Sequence, residues 1–209
     1  MARRADLDAA SVAVAARHPG FAALAEAFGP VRLGPPAPVA RRFEALARHV
    51  AYQQLAGTAA RAIWARVRAT AGDGAFDAGG VLTRGVVPLR RAGLSGAKAA
   101  TVVELAARVE DGSVRLDRIG RRGDDEVVAE LTTVRGIGPW TAQMFLLFDL
   151  HRLDVWPTGD LGVRAGFGIA VGGPTPTPVE LAAAGERFRP YRSVAAWYCW
   201  RAVEAARRS

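Results

Sequence analysis

"VRGIGPWTAQ", Val134 to Gln143, stands between two segments of helical periodicity and decides how the rest of the chain reads. A connection between two helices needs one glycine as a stop. Here Gly136 and Gly138 flank an isoleucine and lead through Pro139 and Trp140 into the apolar run "TAQMFLLF". Glycines so spaced let the backbone turn sharply and let a bulky partner come close, because neither carries a Cβ. Pro139 presets the first turn of the next helix. The amides at that helix start point outward and make an anion site, to which Thr141 adds a hydroxyl donor. The element reads either as a tight turn between packed helices or as a hairpin that holds a phosphate.

Charge bears on that choice. The 209 residues carry a formal net charge of +8, which favours an anionic partner, most commonly nucleic acid. Of the 28 basic residues only Lys98 is a lysine, so an arginine-favouring coding bias also contributes to the excess. Half of the chain is hydrophobic, without an apolar run near the ~20 residues of a membrane span. The start, "MARRADLDAASVAVAARHPG", lacks the apolar core and cleavage pattern of a signal peptide. A single cysteine, Cys199, excludes an intramolecular disulfide, a cysteine-rich zinc site and a cysteine-ligated iron–sulfur cluster. A cytoplasmic protein is expected.

Periodicity predicts helices joined by short turns, about ten in all, and an all-α fold. "PVARRFEALARHVAYQQ" starts at Pro38 and puts Phe43, Leu46, Ala47, Val50 and Ala51 on one face. "TAARAIWARVRATAG" follows, with Thr58 as cap and Gly72 as stop. Ser95 caps "GAKAATVVELAARVEDG", which Gly112 ends. "DDEVVAELTTV" carries acids in its first turn, where the helix dipole favours them. "PWTAQMFLLFDL" is apolar nearly all round and reads as buried. "DVWPTGDLGVRAGFG" gives an extended approach and a short helix from about Asp160; Thr177, Pro178 and Glu180 then make a capping box.

"LTTVRGIGPWTA", followed 22 residues after Gly138 by Asp160 in "WPTGD", resembles the helix-hairpin-helix (HhH-GPD) DNA glycosylase superfamily. "HVAYQQLAGTAARAIWARV" is similar to that family's glutamine-pair helices, and "GLSGAKAATVVELA" to its middle helix. "RPYRSVAAWYCWR" is similar to the closing segment of the 3-methyladenine DNA glycosylase II branch, so that the resemblance runs from about residue 38 to 204. Two departures stand out. Too few residues precede Pro38 to build that branch's β-rich N-terminal lobe, and Leu55, Ala56 and Gly57 replace the usual β-branched residue and serine after the glutamine pair.

The resemblance implies residues 1–209 as one two-lobed unit with the active-site cleft between the lobes. Residues 38–130 would form the central lobe; 1–37 with 131–209 would form the hairpin and terminal-helix lobe. It assigns catalysis to Asp160, a carboxylate beside the positive charge that builds on deoxyribose as an N-glycosidic bond breaks. Asp160 also reads as a cap for the helix after it, and the two roles are compatible. Asp149 and Asp154 need only structural or solvated roles. A purine methylated at N3 or N7 is cationic and leaves without a strong acid; aromatic faces attract it once flipped. Trp140 and Trp200 match the family's pocket tryptophans, while Met144 and Leu161 stand where aromatic residues are usual. Tyr191, Trp197 and Tyr198 read as core.

Gln53, Gln54 and Leu55 match the wedge that fills the hole left by a flipped base. Lys98 reads as a phosphate contact or a solvated side chain. Glycosylases that also nick the strand use an amine; in this superfamily it lies where Trp140 stands here, so the enzyme is expected to lack AP-lyase activity. The resemblance also implies a monovalent cation on the carbonyls of Thr132, Val134 and Ile137. No zinc, flavin, nucleotide or iron–sulfur motif is present, and no cofactor is expected. The expected partner is duplex DNA bearing alkylated purines, for a monomer with no membrane and no obligate protein partner. The alternatives are a related glycosylase for deaminated or oxidised bases, or a non-catalytic damage-sensing module.

Overall fold

In the computed structural model, residues 4–55 and 57–208 are described, except for the side chains of Arg4 and Ala5. They hold twelve α-helices, three short 3-10 turns and no strand among the described residues. The chain divides into two units, one of Met1–Pro35 with His151–Ser209 and one of Pro36–Leu150. The first unit begins with α1 (Arg4–Ala15) and α2 (Pro19–Phe28). The second contains α3 (Arg42–Tyr52), α4 (Gly57–Ala69), α5 (Ala78–Arg84), α6 (Val86–Arg91), α7 (Gly96–Glu110), α8 (Asp124–Leu131) and α9 (Pro139–Phe148). α10 (Leu161–Val171), α11 (Pro178–Gly185) and α12 (Arg192–Ala206) complete the first.

In the Pro36–Leu150 unit, the stripe expected on α3 is buried: Phe43, Leu46, Ala47, Val50 and Ala51 face α4, α7 and α9. Phe43, Leu46 and Val50 each contribute roughly 1.5–3 kcal/mol by leaving water. Phe43 stacks on Phe76 at 5.9 Å between centroids, and Trp64 meets the same ring edge-on at 5.4 Å. Ser95 caps α7 by accepting the Lys98 amide, and Gly112 follows its last turn at φ +78. Glu126 closes the start of α8 by accepting the Gly123 amide at 2.8 Å. One cap differs: α4 begins at Gly57, so Thr58 lies inside the helix. The cap position falls on Ala56, which is outside the described residues.

The division between units also differs from the expected one. Residues 131–150, with the hairpin and α9, group with the central helices rather than with the terminal ones. The reason is α9 itself, whose Ala142, Met144, Phe145, Leu146 and Leu147 are all buried and which packs on α3 and α8.

In the other unit, α10 and α12 lie so close that a Cβ added at Gly166 would stand 1.9 Å from the Cys199 carbonyl oxygen. That contact explains a glycine-rich helix of eleven residues where composition suggested a shorter one. Phe21 meets Phe188 at 4.6 Å and Phe167 at 6.1 Å, and the Trp156 indole donates to the Leu181 carbonyl at 2.8 Å. Thr177 and Glu180 form the expected capping box on α11. Tyr198 is buried and donates its hydroxyl to the Gly29 carbonyl at 3.0 Å, a core role; Trp197 is half-buried beneath the Arg201 guanidinium.

Candidate active site

The hairpin follows from three local constraints. Gly136 sits at φ +90, and a Cβ there would stand 2.1 Å from Thr101 Oγ1 on α7. Thr101 does not swing aside easily, since it is β-branched and its hydroxyl donates to the Ala97 carbonyl. The Ile137 amide donates back to the Val134 carbonyl at 3.0 Å and closes the turn. The Arg135 amide donates to Glu104 Oε1 at 3.1 Å, which ties the hairpin to α7 a second time. Gly138 is different. It has an ordinary extended conformation, and nothing lies within 4 Å of where its Cβ would be. α9 starts there without a side-chain cap, at the positive end of its dipole.

Two residues expected to contact DNA face inward. Thr141 is 1% exposed, and its hydroxyl accepts from Gln53 Nε2 at 2.8 Å. Gln53 Nε2 also donates to the Gly136 carbonyl at 3.0 Å, so Gln53 holds the hairpin from the end of α3. Gln54 and Leu55 remain exposed at the tip beyond it. Lys98, expected on a phosphate or in solvent, instead donates to the carbonyls of Ala51 and Gln53 at the C-terminal end of α3. Burial lowers its pKa below the usual lysine range. Trp140 is half-buried on the first turn of α9, and Met144 is buried in the same helix as a packing residue. The Val134 carbonyl keeps a second lone pair beside its turn bond, so the three hairpin carbonyls of Thr132, Val134 and Ile137 remain compatible with a monovalent cation.

In the other unit, Asp160 is the N-cap of α10. Its Oδ1 accepts the Val163 amide at 2.8 Å and the Trp200 indole N–H at 3.0 Å. Trp200, expected only as a stacking surface, is thus also a donor to the carboxylate, and its ring covers Gly162. Two donors on one oxygen hold the carboxylate in a fixed plane at a helix N-terminus, whose dipole suits an anion. Leu161 follows Asp160 and is 68% exposed. The neighbouring Cys199 is buried, and burial together with the Asp160 charge pushes its thiol up, which makes it an inert packing residue.

The rival carboxylates are occupied elsewhere. Asp149 is buried between His49 and Arg48, and Asp154 is bound by Arg192 at 2.8 Å and Arg189 at 2.9 Å.

No protein-family model matches the chain. The DNA-3-methyladenine glycosylase 1 of Schizosaccharomyces pombe is 33% identical over 167 residues, 78% of this chain and 73% of that one. The solved structure of the 3-methyladenine DNA glycosylase of the same yeast, in complex with abasic DNA, superposes with a TM-score of 0.86 at 29% identity. That match covers 92% of this chain and 95% of the yeast chain. A DNA-3-methyladenine glycosidase from Bacillus halodurans gives 0.78 at 30% identity, covering 95% and 91%.

Proposed function

The chain belongs to the family of DNA-3-methyladenine glycosylases, and from that premise we propose that it excises 3-methyladenine and 7-methylguanine from duplex DNA without cutting the strand. The observation that carries the reading is the Asp160 carboxylate, held by Val163 and Trp200 at the start of α10. As the C1′–N bond breaks, its electron pair leaves with the cationic purine, which departs neutral. Positive charge collects on the sugar, and the Asp160 carboxylate stabilises it. Water adds at C1′, loses a proton to solvent and leaves an abasic site. The α9 amides and Gly138 take a phosphate, Trp140 offers a face to the flipped base, and Gln54 and Leu55 enter the stack behind it. The reaction consumes only water. A cation on the hairpin carbonyls would add positive charge towards the same phosphate.

Strand cleavage would need an amine at the sugar. The one lysine, Lys98, has two of its three donors engaged by the carbonyls of Ala51 and Gln53. We place the enzyme on DNA in the cytoplasm as a monomer with no obligate protein partner; no helix among the described residues is long and apolar enough to cross a membrane. The test is a set of duplexes each bearing one lesion, scored for breaks before and after alkali. Breaks at alkylated purines only after alkali support the reading. Breaks before alkali would make it a lyase, and breaks confined to deaminated or oxidised bases would move it to another lesion class.

The two tryptophans should separate in the same assay. Trp140→Ala removes a stacking face, worth ~1–3 kcal/mol per base, and the loss should be larger for 7-methylguanine than for neutral hypoxanthine. Trp200→Phe keeps a ring but removes the indole donor to Asp160. It should lower kcat by about tenfold to a hundredfold on every substrate while leaving KM in place, since a bond to a charged group is worth ~1.5–3 kcal/mol. Equal losses on charged and neutral lesions with Trp140→Ala, or a substrate-dependent loss with Trp200→Phe, would reverse the two assignments.

A further inference from the structure

After Tyr52 the chain turns at once: Gln53 is extended at the C-cap, Gln54 takes φ +54, and the Leu55 amide returns to the Tyr52 carbonyl at 3.3 Å. A turn with a positive φ at its third position normally carries glycine or asparagine there. A glutamine in that conformation is strained and persists only where its surroundings over-determine it. The turn borders a recess of about 240 Å³ lined by Gln53, Gln54, Leu55, Ile63, Leu94 and Lys98.

Lys98, on the wall of the same recess, reaches the turn. Its ammonium donates to the Ala51 carbonyl at 3.0 Å and to the Gln53 carbonyl, on either side of the residue where α3 ends. Charge-assisted bonds are about twice as strong as neutral ones, and a cation at a helix C-terminus also meets the negative end of the dipole. From its other side, the Gln53 amide is fixed to the Gly136 carbonyl and the Thr141 hydroxyl. The tip is therefore clamped between α7 and the hairpin, with Gln54 and Leu55 left exposed at its end.

We propose that Lys98 is a positioning residue for base extrusion: its ammonium holds the Gln53–Leu55 turn in the strained shape that presents Gln54 and Leu55 to the duplex. The residue acts through the turn and does not contact DNA phosphate. This rests on the glycosylase reading above. A wedge held in place before encounter does not have to be ordered during it, and that advantage matters only while the target base is still stacked and paired.

The test compares the full-length protein with Lys98→Met, which keeps the aliphatic stem, and Lys98→Gln, which keeps a shorter donor. Single-turnover release of 7-methylguanine from a fully paired duplex should fall about tenfold to a hundredfold with Lys98→Met, the scale for misplacing a positioned group, and less with Lys98→Gln. The deficit should shrink to within about threefold when the lesion lies in a single strand, where nothing has to be extruded. The salt dependence of binding to undamaged duplex should not change. A salt slope reduced by about one would make Lys98 a phosphate contact and overturn the proposal. An equal deficit on paired and single-stranded lesions, undiminished release, or loss of folding in both variants would overturn it as well. Failure of the wild-type chain to release the base from either substrate would instead remove the glycosylase reading on which the proposal stands.

Discussion

Asp160→Asn should release alkylated bases at least about a hundredfold more slowly than the wild type, the scale for losing a key transition-state stabiliser. It should still bind lesion-bearing duplex and unfold at an unchanged temperature. The geometry makes this an unusually clean substitution. An asparagine keeps the oxygen that accepts the Val163 amide and the Trp200 indole N–H, so the α10 cap survives while the charge is lost. Asp160→Ala removes both and should add about 0.5–2 kcal/mol of destabilisation for the missing cap. A variant in which stability falls but release per folded molecule is normal would leave Asp160 as a cap alone.

The largest effect on stability should come from Gly136, and its contrast with Gly138 separates folding from binding. A Cβ at Gly136 runs into Thr101, whose Oγ1 and Cβ would be 2.1 and 3.2 Å away, at a φ of +90. Overpacking costs about 1–3 kcal/mol and the backbone strain about as much again. Gly136→Val should therefore lower Tm by roughly 4–24 °C at 2–4 °C per kcal/mol for a chain of this size. Thr101→Ala should recover part of that loss in a Gly136→Ala background. Gly138→Val has open space around it and should fold normally, yet weaken binding to damaged and undamaged duplex alike, because it obstructs a phosphate rather than a lesion. Calorimetry beside duplex titration reads both. Equal stability losses at the two glycines would make the hairpin a structural turn only.

The parts of the site that were legible in sequence are local ones. A Gly–Ile–Gly–Pro string has few meanings, and the caps at Ser95, Asp160 and Thr177 each reach an amide three residues away. What sequence left dark are bonds between distant positions. Lys98 reaches carbonyls 45 and 47 residues away, Gln53 reaches the hairpin 83 and 88 residues on, and Trp200 reaches back 40 residues to Asp160. No periodicity encodes such pairs. A lone lysine on a helix reads as solvated, and a tryptophan in a closing helix reads as a stacking face. α1, α2, α5 and α6 escaped for a different reason: their alanines, glycine pair and Val–Val–Pro start give weak helical patterning, and tertiary packing overrides it. The grouping of residues 131–150 with the central helices was not legible either, because the apolar circumference of α9 says that it is buried without saying against what.

The central claim is hydrolysis of an N-glycosidic bond at an alkylated purine. The direct measurement is mass-spectrometric detection of free base from a duplex carrying one 7-methylguanine, with wild type and Asp160→Asn side by side under single-turnover conditions. The expected result is free 7-methylguanine from the wild type, matched mole for mole by alkali-labile sites in an otherwise intact strand, and almost none from the variant over the same time. Tight binding of the duplex with no base released by the wild-type protein would contradict the claim.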